Sequence, residues 1–384
     1  MALSKDKKKA MQKLRDGFIK ENKLPENVKM GFLDENENIG KIERLPTGLI
    51  GFDVLTGGGW VKNKINQLVG GESTGKTTSL LNSFAYWQKT MEDFLTAYIP
   101  AEKNFDREWA MAQGCEPDSM WVYEPRSAEE NLDFVMKCSN ESPVNCLVID
   151  TLQALASVKE VYKGKKPDGS HSDKERSTED DTMALIPRLY SQFLRMYTAK
   201  TTDTLTLILT SQVRTDITSM SMMKDKETGG NALKHYNMLN VKMTRVSDSK
   251  FPIIIDKKPP PNSYAVQLEI TKSKVKNRYR GNKLLMYFYK GSFEHKFNVL
   301  ALAKDIGGIH DGKGYTYTNT EGQVVEIKAK GFNDLYNKIT DEAIADMEKQ
   351  LMNAYTKKVM NYIPIVEEET TIVDESLEGE DGAL

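Results

Sequence analysis

Residues 70–77, Gly70-Gly71-Glu72-Ser73-Thr74-Gly75-Lys76-Thr77, fit the pattern G-x-x-x-x-G-K-[ST]. Glycines in such a run let backbone N–H groups curl around phosphate oxygens. A helix that starts where the run ends adds positive potential. The Lys76 ammonium would then reach the β- and γ-phosphates, and the Thr77 hydroxyl would ligate Mg²⁺. Thr78 follows on the same helix and counts with the nucleotide-binding residues. A metal-bound nucleotide also calls for an acid at the end of an apolar strand. Cys146-Leu147-Val148-Ile149-Asp150 supplies it, and Asp150 would hold the Mg²⁺ through water. Hydrolysis further needs a group that aligns the attacking water. Glu102 lies just past the apolar run that ends at Pro100, where a carboxylate can accept a proton from water. Gln212 ends another such run, and its neutral amide would contact the γ-phosphate and sense its loss.

These side chains meet only if their strands lie parallel and share one edge, because ligands of open α/β sheets sit at the carboxyl ends of the strands. The hydrophobic pattern predicts that arrangement. Ile65–Val69, Phe94–Pro100, Met120–Tyr123, Val144–Ile149 and Leu205–Thr210 read as strands. Segments 76–89, 105–113, 127–139 and 184–197 read as helices between them. Ser127-Ala128-Glu129-Glu130 has the form of a capping box at one helix start. Residues 158–181 read as a mobile loop, 215–228 as a second loop and 251–262 as a surface loop. Past residue 236, the segments 239–245, 264–271 and 283–289 read as strands without long helices between them, so the sheet is expected to turn antiparallel. Residues 300–355 read as a small second domain. Phe332, Leu335, Tyr336 and Ile339 have helical spacing there, as do Ile344, Met347, Leu351 and Tyr355. The fold class expected is α/β with a mostly parallel twisted sheet.

The chain has 384 residues and a net charge of −2. That balance hides an asymmetry. The last 18 residues hold eight acids and no base, and removing those eight charges from −2 leaves a body at +6. Residues 1–23 carry eight bases and three acids. A basic body with an acidic tail suits a polyanionic partner and a tail that competes with it, or a tail that only solubilises. Met11, Leu14 and Phe18 make a narrow apolar stripe on a basic helix over 5–20, which must dock on a neighbouring subunit or on its own core. No apolar run approaches the ~18 residues of a membrane span, and the N-terminus lacks the apolar stretch of a secretory signal. Cys115, Cys138 and Cys146 have no metal or redox spacing and are expected to be idle thiols.

Four blocks go further than the phosphate loop. Leu45-Pro46-Thr47-Gly48-Leu49 through Phe52-Asp53 leads past Gly57-Gly58-Gly59 into that loop. The second is Ala101-Glu102-Lys103-Asn104-Phe105-Asp106-Arg107-Glu108-Trp109. The third is Ser211-Gln212-Val213-Arg214, and the fourth is Thr228-Gly229-Gly230-Asn231-Ala232-Leu233-Lys234. In order and spacing they resemble the RecA recombinase family over roughly residues 40–355. The resemblance implies a RecA-like P-loop ATPase core at 39–298. It also implies an N-terminal helix and linker for subunit polymerisation at 1–38, a small α+β C-terminal domain at 299–358, and an acidic disordered tail at 359–384.

By the same resemblance Glu102 is the general base of the ATPase, and Asp106 and Trp109 contact adenine. Gln212 links the γ-phosphate to the second DNA loop, and Lys272 and Lys274 reach the ATP of the adjacent subunit. Residues 158–181 and 214–230 become the two DNA-binding loops. Arg188, Arg195, Arg214, Gly229, Gly230 and Asn231 match positions on the DNA backbone, while Met183 and Ile217 match apolar residues that touch or separate bases. The implied activity is an ATP- and Mg²⁺-dependent recombinase that forms a helical filament on single-stranded DNA. It would pair that strand with homologous double-stranded DNA, with an ssDNA-binding protein as partner. The implied place is the bacterial cytoplasm, or the host's if the chain is phage-encoded. A hexameric helicase-like ATPase and a non-catalytic recombination mediator are the alternatives. The departures are a longer first loop, the methionines Met220, Met222 and Met223 in the second, Asp216, His235 and an apparent insertion at Pro259-Pro260-Pro261.

Overall fold

The computed structural model describes residues 3–24, 28–33, 40–152, 154–161, 185–200, 204–215, 225–227, 233, 235–254, 258–275, 281–305, 308–312 and 314–360. The chain opens with α1 (Lys5–Glu21), whose Ser4 hydroxyl accepts from the Lys7 N–H. Its apolar stripe does not find its own core: α1 buries none of its residues, and Met11, Leu14 and Phe18 are exposed. A two-stranded ribbon of β1 (Arg44–Leu45) and β2 (Trp60–Val61) brackets α2 (Ile50–Thr56). Then follow β3 (Ile65–Gly70), α3 (Lys76–Thr90), β4 (Leu95–Pro100), α4 (Arg107–Ala112), β5 (Met120–Val122), α5 (Ala128–Glu141) and β6 (Val144–Asp150). Next come α6 (Val158–Val161), α7 (Leu185–Lys200), β7 (Thr206–Thr215), β8 (Asp225–Glu227), β9 (Leu239–Arg245), β10 (Tyr264–Ser273), β11 (Lys283–Tyr289) and β12 (Ser292–Phe293). The described residues close with α8 (His295–Asp305), the meander β13 (His310–Asp311), β14 (Tyr315–Thr318), β15 (Val324–Ile327), and then α9 (Gly331–Lys338) and α10 (Asp341–Met360).

The main sheet runs β12-β11-β10-β9-β3-β7-β6-β4-β5, with β8 paired to β7. The stretch from β9 to β5 is parallel throughout. The strand that feeds the phosphate loop, β3, is buried along its whole length between β7 and β9. Alternation along the strands separates two cores. Cys146 and Val148 join Leu68, Phe84 and Trp87 on the α3 side, whereas Leu147 and Ile149 join Tyr190, Phe193 and Leu194 of α7 on the other. The first core continues into the C-terminal elements through Phe297, Leu335, Met347 and Leu351. The proposed boundary at 298/299 falls inside α8, whose residues 297–303 are all buried. The three cysteines are free and buried.

The sheet turns antiparallel where the pattern placed the change: β9 is still parallel to β3, β10 is antiparallel to β9, and β11 to β10. Four expectations need correction. Residues 215–228 are not all loop: Thr215 pairs with Asp225 and Val213 with Glu227, so β7 outlasts its apolar run as the arm of a ladder. Residues 251–262 are not simply surface. Phe251 and Ile253 are buried, and the Phe251 ring stacks on Phe297 of α8 at 5.3 Å. Residues 158–161 form the short helix α6. The capping box is also only half made. Ser127 accepts from the Glu130 N–H, but the Glu130 carboxylate turns to the Arg126 N–H and the Tyr123 hydroxyl.

Candidate active site

The phosphate loop leaves β3 at Gly70 and enters α3 at Lys76. Its turn needs left-handed backbone at Ser73, φ 53°, and at Gly75, φ 84°. Lys76 is buried and its ammonium folds back on the carbonyls of Gly70 and Gly71, at 3.1 and 2.7 Å. Burial holds its pKa below the usual lysine range, against the pull of Asp150, Glu102 and Glu72. A lysine held this way is already desolvated and within reach of a phosphate set in the loop. Glu72 and Ser73 stand exposed at the loop's rim, Thr74 is buried beneath it with its hydroxyl on the Gly71 carbonyl, and the Thr78 carbonyl accepts from Asn82.

Parallel register brings the other groups to this edge. Gly70 stands level with Gln212, and Pro100 with Asp150. The Asp150 carboxylate accepts from Thr77 Oγ1 at 2.7 Å, Tyr98 OH at 2.9 Å and Thr210 Oγ1 at 2.6 Å. Burial and the adjacent Asp150 charge keep the Tyr98 phenol protonated far above its usual range. Asp150 is thus an acceptor fixed from three sides beside the hydroxyl that starts α3. A hard, all-oxygen pair of one carboxylate and one hydroxyl suits Mg²⁺, which keeps several waters and takes its remaining ligands from phosphates. Next to it, Glu102 Oε1 accepts from Gln212 Nε2 at 2.9 Å and from Thr151 Oγ1 at 3.0 Å, and Oε2 from Asn104 Nδ2 at 3.1 Å. The Asp150–Thr151 peptide is cis. Lys76, Thr77, Glu102, Asp150 and Gln212 therefore form one cluster.

Asp106 and Trp109 sit on its flank. Asp106 caps α4 by accepting from the Trp109 N–H at 2.9 Å, and the half-exposed Trp109 ring faces the β11–β12 turn at Gly291. The Tyr264 hydroxyl and Phe288 ring press on Gly75 from below. Lys272 and Lys274 are elsewhere. Lys272 pairs with Asn240 and Ser273 with Leu239, while Gly70 pairs with Met243. The two lysines therefore mark the opposite edge of the sheet, and the Lys274 ammonium donates to the His235 carbonyl. Arg188 and Arg195 are exposed on α7, with Arg195 donating to Ser191 Oγ. Arg214 lies on β7, and nothing is described of its side chain; Met183, Ile217, Gly229, Gly230 and Asn231 fall outside the described residues. Sequence reasoning missed Tyr98, Thr151 and Thr210, whose hydroxyls orient the two carboxylates. The one available signal was a hydroxyl residue within or just after each apolar run.

The RecA N-terminal domain family matches residues 21–292. The chain is 28% identical over 321 residues to the protein RecA of Bacteroides thetaiotaomicron, covering 83% of this chain and 89% of that one. It is 26% identical over 366 residues to the protein RecA of Thermotoga neapolitana, covering 92% and 95%. It is 30% identical over 292 residues to the protein RecA of Borrelia duttonii, covering 74% and 73%.

Proposed function

The chain belongs to the RecA family, and from that premise we propose that it is an ATP- and single-stranded-DNA-dependent recombinase, acting as a filament that pairs and exchanges homologous strands. The observation that carries this reading is the Glu102–Gln212 hydrogen bond beside the Thr77–Asp150 pair. It joins a carboxylate able to take a proton from water to the strand that runs on into residues 214–230. In the proposed cycle the backbone N–H groups of 70–75 and Lys76 hold the phosphates, Thr77 and Asp150 hold Mg²⁺, and Glu102 aligns water. Gln212 exchanges Glu102 for the γ-phosphate. Asp106 and Trp109 flank the base.

Lys272 and Lys274, at the far edge of the sheet, are too remote for their own chain's phosphate loop. They would instead serve the next subunit's ATP, as cations on the transferring phosphoryl group. An exposed apolar stripe on α1 is what a docking element at 1–38 would present. Residues 158–181 and 214–230, with Arg188, Arg195 and Arg214, would contact the DNA backbone without reading sequence. The units at 39–298, 299–358 and 359–384, the ssDNA-binding-protein partner and the cytoplasmic setting belong to the same proposal. No helix of the described residues is long and apolar enough to cross a membrane.

ATP hydrolysis with and without single-stranded DNA, with negative-stain electron microscopy of the same samples, tests it. The expected result is strong stimulation together with helical filaments. Closed rings, or ATP binding without stimulation, would overturn the recombinase reading.

A further inference from the structure

On the sheet face away from α3 lies a buried polar cluster that the proposed cycle does not use. Gln67, in the middle of β3, donates from Nε2 to Ser211 Oγ at 2.7 Å. Its Oε1 accepts from Asn237 Nδ2 at 2.6 Å and from Asn240 Nδ2 at 3.0 Å. All four residues are at most 2% exposed. Ser211 immediately precedes Gln212. Asn237 follows the 228–234 segment, and its backbone N–H donates to the Leu233 carbonyl. One carboxamide therefore joins both ends of the excursion from 212 to 236 to the strand that delivers the phosphate loop. Asn240 also stands opposite Lys272, where β10 carries a bulge.

Stability alone does not call for such a cluster. Apolar side chains of similar volume would fill the space without burying three amides, and buried polar networks are costly unless every partner is in place. What the network adds is a defined placement of three backbone segments relative to one another. We propose that Gln67 is a positioning residue that ties both roots of the second DNA loop to β3, so that DNA engagement at 214–230 changes the placement of Gln212 and with it ATP turnover. This rests on the recombinase reading above.

The test compares Gln67→Met, Gln67→Glu and Ser211→Ala, reading ATP turnover with and without single-stranded DNA. A glutamate at 67 still accepts from both asparagine amides and from a turned Ser211 hydroxyl, whereas methionine accepts from none. Gln67→Met is expected to keep unstimulated turnover within about twofold and to lose about tenfold in DNA stimulation, a normal size for coupling between sites. Ser211→Ala is expected to lose part of the stimulation, and Gln67→Glu to keep most of it. Stimulation retained in Gln67→Met overturns the proposal. So do equal losses of stimulated and unstimulated turnover, or equal failure of Met and Glu, since those report a structural role only. If Gln67→Met does not fold, Ser211→Ala decides by the same criteria.

If the wild type is not stimulated by DNA, the recombinase reading fails, and hydrogen exchange then judges the tie. A non-hydrolysable ATP analogue should protect 204–215 and 235–245 together in the wild type and separately in Ser211→Ala. Protection that stays concerted in the variant would overturn the tie.

Discussion

Gly75 offers a perturbation whose size can be worked from its surroundings. It caps α3 with φ 84°, and a Cβ there would lie 2.5 and 2.7 Å from Phe288 Cζ and Cε2 and 2.9 Å from the Tyr264 hydroxyl. Phe288 cannot withdraw easily. It is fully buried, its ring stacks on Tyr264 at 4.8 Å, and the Arg245 guanidinium covers Tyr264 at 4.6 Å. The left-handed backbone costs an alanine about 1–2 kcal/mol. Overpacking against a ring that must shift adds about 1–3 kcal/mol. The stiffer unfolded chain returns about 0.4–1 kcal/mol, so Gly75→Ala should destabilise by about 2–4 kcal/mol. Urea unfolding of Gly75→Ala, Phe288→Leu and the double variant separates the terms. Leucine removes the two offending ring atoms, so the double variant should be more stable than the sum of the singles by about 1–3 kcal/mol, leaving the backbone cost in place. Additivity within about 0.5 kcal/mol would refute the reasoning, because Phe288 would then not be what meets the new methyl.

Other outcomes follow from the same geometry. Glu102→Gln should keep ATP binding and filaments but lose about 10²–10⁴-fold in turnover; wild-type turnover would remove Glu102 as the base. Filaments mixed from Glu102→Gln and a Lys272→Ala/Lys274→Ala chain should recover part of the turnover that each lacks alone, because some interfaces then join an intact base to intact lysines. No recovery would argue against action across subunits. Asp53 is buried and accepts from the Thr47 N–H, the Thr47 hydroxyl and the Gly48 N–H. Asp53→Asn sets an amide against those donors and should lower stability by about 2–4 kcal/mol in urea unfolding; a loss under 1 kcal/mol would show that the turn at Thr47 does not depend on the carboxylate. His295 meets Glu348 at 3.0 Å, and that hydrogen bond raises its pKa above the unfolded value of ~6.5. Its contribution is therefore full below pH ~6.5 and fades as the pH rises through the raised folded value. With both side chains about 40% exposed, the effect is at most about 0.5 kcal/mol. Calorimetry should find the melting temperature of the wild type falling slightly relative to His295→Gln between pH 6 and 8, and parallel curves would contradict it.

On the proposed reading, the parts of the site legible in the sequence are those whose spacing contact with one ligand would impose. A loop that wraps phosphates has a fixed length, so residues 70–77 announced themselves. An acid after an apolar run marks a strand end, so Asp150 and Glu102 did too. Groups that act through register were not legible. Tyr98 lies inside an apolar run and reads as core; only the pairing of β4 with β6, which sets Pro100 level with Asp150, turns its hydroxyl to that carboxylate. Gln67 likewise reads, with Asn66, as a polar interruption of a buried strand until β7 and β9 are placed on either side of it. The hairpin of β7 and β8 was hidden because its residues, Val213–Thr215 and Asp225–Glu227, are polar or charged apart from Val213 and carry no period-2 apolar pattern. Phe251 and Ile253 were misplaced because prolines at 252 and 259–261 signal turns locally, while burial under α8 is a tertiary matter.

The sheet gives the two edges different chemistry. At the carboxyl ends of the parallel strands, Gly70, Asp150 and Gln212 converge, since every strand from β9 to β5 points there. β10 runs the other way, so it begins with Tyr264 beside the phosphate loop and ends at the opposite edge, with Lys272 on the strand and Lys274 just past its last residue. One reversed strand thus braces its own chain's nucleotide loop and carries cations away from it. No rearrangement short of dismantling the ladder brings those lysines to Gly70. On the proposed reading a single copy holds the groups for binding ATP and aligning water, but its own Lys272 and Lys274 cannot add their charge to that of Lys76 at the transferring phosphoryl group. Hydrolysis would then be tied to assembly by topology rather than by a separate regulatory part.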